Sequence, residues 1–166
     1  MTRPALLFSL LGLLAWCTAC GNDRSTTLRV EHAWARTTPT GATNGVVYFR
    51  LTSPVEDRVL GASVAASVAG GTELHETMAA GGGAGMPNMP GMDPSAPQAM
   101  TMEPVDHLDV PAGGTLELSP GEKHLMLVDL HDPLTAGSHL QLTLHLATGG
   151  DLPVDVIVAD NPPWNE

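Results

Sequence analysis

The chain has 166 residues, with 18 Asp or Glu against 7 Lys or Arg and a formal charge of −11 when histidine is neutral. That length suits one domain with a real core. A surface so acidic repels nucleic acid and anionic lipid headgroups, so neither is expected as a partner.

The first segment is unlike the rest. Arg3 is its early charge, LLFSLLGLLAW (6–16) is apolar, and CTACG follows. A basic start, a short apolar run and a small-residue cleavage region read as an export signal, and the run is too short for a comfortable membrane span. Cys20, preceded by Thr18-Ala19 and followed by Gly21, resembles the lipobox of bacterial lipoproteins, although Cys17 stands where leucine is usual. The expectation is a signal peptide over 1–19, with Cys20 the lipidated first residue of the mature chain. The protein would then be exported, on the periplasmic or cell-envelope face, and held to the membrane by its lipid alone. Both cysteines lie in this leader. A mature domain with Cys20 lipidated has no disulfide, no thiol chemistry and no thiolate ligand, and is held together by core packing.

From Thr27 on, the pattern is β. TLRVEHAW (27–34), GVVYFRLT (45–52), RVLGASV (58–64) and TELHETM (72–78) are short, with β-branched or alternating apolar residues. HLDV (107–110), TLELS (115–119), HLMLVDL (124–130), HLQLTLHL (139–146) and PVDVIVA (153–159) continue it, with Gly, Pro, Asn or Asp in the gaps. Such density of short strands predicts an all-β sandwich or barrel of about eight to ten strands in one domain over 27–160. In HLQLTLHL, Leu140, Leu142, Leu144 and Leu146 turn to the core and His139, Gln141, Thr143 and His145 to solvent. His107 is expected exposed and His131 in a turn. His32, sharing a face with Val30 and Trp34, is expected partly buried and hydrogen-bonded. One stretch breaks the rhythm: residues 79–99, AAGGGAGMPNMPGMDPSAPQA, have no periodicity and read as a flexible insertion within the domain.

Chemistry gathers around histidine and methionine. His124 and Met126 project from the same face of their strand, about 7 Å apart at Cα. ELHETM adds His75, and TMEPV adds Met102 just before an acidic, proline-containing turn. Two imidazoles and two thioethers form a soft, neutral donor set. Softness selects Cu(I) over Mg²⁺ or Ca²⁺, and methionine in place of cysteine or carboxylate disfavours zinc. A blue-copper centre needs a cysteine thiolate, which the mature chain lacks.

At these residues the chain resembles the periplasmic copper chaperone family PCu(A)C. AWAR (33–36), GVVYFRL (45–51), ELHET (73–77), MEPV (102–105), VPAGGTLELSPGEKHLMLVDL (110–130) and LTLHL (142–146) carry the resemblance. It implies a cupredoxin-like fold and a metal motif of His, ten residues, Met, twenty-one residues, His-x-Met. Met102 and His124 are separated by 21 residues, as in the motif, whereas His75 and Met102 are separated by 26. The Gly/Met/Pro insertion supplies the surplus, and loop closure costs rise only logarithmically with length. The implied ligands are His75, Met102, His124 and Met126. Met100 is a close second to Met102, and Met78, Met86, Met89 and Met92 are auxiliary candidates. The implied cofactor is copper, Cu(I) favoured and Cu(II) admitted. The implied partner is a copper acceptor, such as a terminal oxidase subunit or a second copper chaperone.

Other classes have less to stand on. There is no G-x-S-x-G elbow and no Ser/His/Asp spacing that suggests a triad. A haem protein lacks C-x-x-C-H and has few aromatic residues to wall a pocket. The remaining alternative is a cell-envelope β-sandwich interaction or structural module without specific metal binding.

Overall fold

The computed structural model describes residues 27–79 and 100–164. The expected leader with Cys20, and the insertion beyond Ala79 with Met86, Met89 and Met92, lie outside them.

Ten strands follow in chain order: β1 Arg29–Arg36, β2 Asn44–Thr52, β3 Asp57–Val64, β4 Ala69–Ala79, β5 Met100–Pro104, β6 Leu108–Val110, β7 Thr115–Leu118, β8 His124–Leu130, β9 His139–Leu146 and β10 Gly150–Ala159. They form one sheet in the order β5-β4-β8-β2-β1-β10-β9-β3-β6, with β7 also paired to β2. β1 and β10 run parallel; the other ladders are antiparallel. The sheet curls until β3 and β4 meet, where the Thr72 hydroxyl donates to the Ala62 carbonyl at 2.6 Å. The inward faces then enclose one core containing Val47, Phe49, Leu51, Leu125, Leu127, Leu142, Leu144 and Val156. The all-β fold read from strand density is the fold observed, and the alternation of β9 holds: Leu140, Leu142, Leu144 and Leu146 are buried, His139 and Gln141 exposed.

Several features depart from the sequence reading. Met102 lies inside a strand, β5, rather than ahead of a turn. Every residue of β5 is exposed, so it has no apolar alternation to announce it. β4 begins earlier than expected because Gly70 and Gly71, which read as a turn, belong to it. A Cβ on Gly70 would lie 3.0 Å from Cβ of Asp129, a tight approach that glycine relieves. His32 is exposed, not partly buried. A bulge between Glu31 and Trp34 breaks the alternation, and His32 takes φ 56°, turning its ring onto Trp164 at 4.4 Å. Trp34 packs against both Trp164 and Tyr48, so Trp34, Tyr48 and Trp164 cluster at this end of β1. Burial raises the Tyr48 phenol above its ordinary pKa, and the charge of Arg36 acts in the opposite direction.

Candidate metal centre

β4 and β8 pair antiparallel with His75 opposite His124, Leu74 opposite Leu125 and Glu73 opposite Met126. Leu74 and Leu125 enter the core. By strand alternation the two histidines, Glu73 and Met126 therefore share the other face. Although they face away from the core, His75 and His124 are 7% and 3% exposed. Their ring centroids are 5.5 Å apart and the planes are tilted by 39°.

Hydrogen bonds fix how each imidazole is presented. His124 Nδ1 lies 3.1 Å from the Glu122 carbonyl, which can only accept, so Nδ1 carries the proton and Nε2 is the bare nitrogen. The same carbonyl takes the Thr77 hydroxyl at 3.0 Å, tying the β7–β8 turn to β4. That turn is closed by Ser119 N–H to the Lys123 carbonyl and Glu122 N–H to the Ser119 carbonyl. His75 Nε2 is 3.0 Å from the Glu73 carboxylate, so in the neutral ring Nε2 carries the proton and Nδ1 is bare. Among the described residues, His75 Nδ1 and His124 Nε2 are the buried side-chain nitrogens without a hydrogen-bond partner. A buried acceptor left unpaired costs about 1–3 kcal/mol. Two on facing rings are unusual for a purely structural position. Both are neutral nitrogen donors of the kind a soft metal accepts.

The ladders also place the thioethers. β5 pairs β4 with Pro104 opposite His75, Thr77 opposite Met102 and Ala79 opposite Met100. Met102 is thus diagonal to His75 on the histidine face, within reach for a long side chain. Met126 is two residues from His124 on that face and half-buried, whereas Met102 is 60% exposed on the edge strand. Met100 shares the face farther along β5. Met78, opposite Thr101, projects from the other side of β4, away from the histidines. Among the described residues, no group of three or more His, Cys, Asp or Glu could hold a metal. The thioethers of Met126 and Met102 share the face of the two imidazoles, and thioether sulfur with imidazole nitrogen is a donor set that suits copper better than a structural zinc site.

The His/Met pattern carries no sign of Glu73; the signal for it is E-x-H on a strand, which puts acid and imidazole on one face. The structure also aligns Asp151, His145 and Ser63, at 2.7 and 3.1 Å. That row lies across the exposed side of the sheet, with Ser63 and Asp151 open to solvent. It reads as a polar surface network rather than a shielded nucleophile.

Comparisons with known proteins give the family and the fold. The family described as "Putative lipoprotein LpqE-like" matches residues 28–158, and the chain belongs to that family. It is 33% identical over 140 residues to "Putative lipoprotein Lxx21020" of Leifsonia xyli subsp. xyli (strain CTCB07), covering 84% of this chain and 74% of the relative. Among solved structures, the copper-bound PCuAC domain from PmoF2 matches with a TM-score of 0.58 at 19% identity, over 81% of this chain and 93% of that one. At that identity the likeness shows the fold, a cupredoxin-like β-sandwich. The CuI-DR1885 solution structure from Deinococcus radiodurans matches at 27% identity with a TM-score of 0.54, over 82% and 83% of the two chains. Apo-DR1885 matches over 97% and 96%, at 27% identity and a TM-score of 0.53.

Proposed function

We propose that this protein is an extracytoplasmic copper carrier that binds Cu(I) through His75, His124, Met126 and Met102 and passes it to an acceptor protein. The observation that carries the proposal is the facing pair of buried, bare ring nitrogens on His75 and His124, with thioethers on the same face. A copper-bound and a CuI-bound protein stand among its structural relatives. The ion is cargo: four neutral ligands leave its charge largely uncompensated, and an exposed Met102 gives an acceptor a place to displace a ligand. The proposal includes no catalysis.

The acceptor we propose is a respiratory oxidase copper centre or another copper carrier, in keeping with the resemblance to PCu(A)C. We further propose that Cys20 carries a lipid holding the domain at the envelope; the lipoprotein names of the family and of the Leifsonia relative support this. Cys20→Ser should release the protein from the membrane fraction.

The test is Cu(I) titration with X-ray absorption on the mature chain and on a chain lacking residues 81–97. One tightly bound Cu(I) with mixed nitrogen and sulfur ligands is expected in both. Tight binding that survives a combined Met102→Ala/His124→Ala change would move the site elsewhere. No stoichiometric binding by the mature chain would favour an envelope interaction module instead.

A further inference from the structure

We propose that Glu73 is a positioning residue for the metal centre. It selects which nitrogen of His75 is offered to the ion, and so holds the site open in the absence of metal. The inference rests on the copper reading above and adds to it a residue outside the His/Met donor set.

His75 is buried, and its position opposite His124 is fixed by the β4–β8 ladder. The ladder fixes the backbone but not the tautomer. A neutral imidazole carries its proton on either nitrogen, and the two forms point opposite lone pairs at the metal face. The Glu73 carboxylate, 3.0 Å from Nε2, accepts a hydrogen bond from Nε2–H, which keeps the proton of the neutral ring on Nε2 and leaves Nδ1 bare. His124 is set differently: its acceptor is the main-chain carbonyl of Glu122, which no substitution of that side chain removes. The two histidines thus offer opposite nitrogens, Nδ1 from His75 and Nε2 from His124, and only the His75 choice depends on a side chain.

Glu73 is suited to the task. It lies two residues from His75 on the same strand face, so the pair meets without a loop having to order. The carboxyl side chain is 53% exposed while the imidazole side chain is 9% exposed, so the acid remains hydrated while its partner is desolvated. A carboxylate on the non-ligating nitrogen also makes the ligating one a better donor, and loss of such outer partners weakens metal binding by about 10–100-fold.

The experiment uses the mature chain with Glu73→Ala, Glu73→Gln and, as a remote control for charge, Glu31→Gln. Long-range proton–nitrogen NMR of the metal-free proteins above neutral pH reads the tautomer of each histidine. Copper affinity is read by competition with a chromogenic Cu(I) chelator. In Glu73→Ala, His75 should lose its pure Nε2–H form while His124 keeps Nδ1–H, and Cu(I) binding should weaken by about 10–100-fold. Glu73→Gln keeps an acceptor oxygen and should restore the tautomer and most of the affinity. Glu31→Gln should resemble wild type in both. An unchanged His75 tautomer in Glu73→Ala overturns the proposal whatever happens to copper. A lost tautomer with unchanged affinity shows that Glu73 does not serve the metal, which also overturns it. If the wild type bound no copper, the copper reading and the metal role would fall together, and the NMR arm would still decide whether Glu73 sets the ring.

Discussion

His75 and His124 face each other across the β4–β8 ladder with ring centroids 5.5 Å apart, each with one nitrogen bonded to the protein and one bare. If these nitrogens are the ligands, neither histidine can be replaced by its neighbours. His75→Ala and His124→Ala should each weaken Cu(I) binding beyond the roughly 10–100-fold typical of outer-shell partners. Chelator competition checks this, with far-ultraviolet circular dichroism to confirm the sheet. Wild-type affinity in either variant would remove that residue from the site.

The same geometry predicts a stability cost of function. Each bare nitrogen is a buried acceptor that the metal-free fold leaves unpaired. Replacing both rings by apolar side chains of similar bulk removes the cost and keeps the packing. Combined His75→Leu and His124→Leu changes should stabilise the metal-free domain by about 2 kcal/mol, read from urea unfolding. The stabilisation that Cu(I) confers on the wild type should disappear. A double variant less stable than wild type would show that the nitrogens carry no such penalty.

Met126 and Met102 should behave differently. Met126 is half-buried beside His124, whereas Met102 is 60% and Met100 63% exposed on β5. Peroxide should therefore oxidise Met100 and Met102 well before Met126 in the metal-free protein. Loading with silver(I), a redox-inert stand-in for Cu(I), should protect Met102 and leave Met100 reactive. Peptide mass spectrometry separates the two positions. Protection of Met100 instead of Met102 would shift the ligand one step along the edge strand.

How far the sequence could be read depended on which side of each strand meets the core. β8 and β9 have the bounds read from HLMLVDL and HLQLTLHL because leucine on the buried face writes their period directly. β5 was invisible because an edge strand exposed along its whole length needs no such period. Pro153 delayed the expected start of β10, yet β10 begins at Gly150: Pro153 pairs only with β9, while β1 joins at Ile157, so no ladder needs its missing N–H. At the site, His-x-Met gave a shared face without the structure. The cross-strand meeting of His75 with His124 did not follow from spacing, because it depends on β4 lying beside β8 across a long stretch of chain. Alternation does not place His32, because a bulge shifts the face of every residue on one side of it.

Asp57 tests the scaffold apart from the metal. Its carboxylate, 3% exposed, accepts the backbone N–H groups of Arg58, Thr148 and Gly149, each at 2.8 Å, and so closes the β9–β10 turn from the start of β3. Burial alone would raise its pKa. The backbone donors outweigh burial, and the group lies below its ordinary value. A carboxyl depressed in the folded state contributes stability that is fully present above its unfolded pKa, near 4, and is lost as pH falls through the folded value. Asp57→Asn should therefore destabilise the domain by about 2 kcal/mol at neutral pH. Wild type and variant should converge as the medium becomes strongly acidic, because protonated Asp57 loses the same advantage. Urea unfolding across that range measures both curves; a constant gap down to the lowest pH would assign the loss to packing rather than to charge.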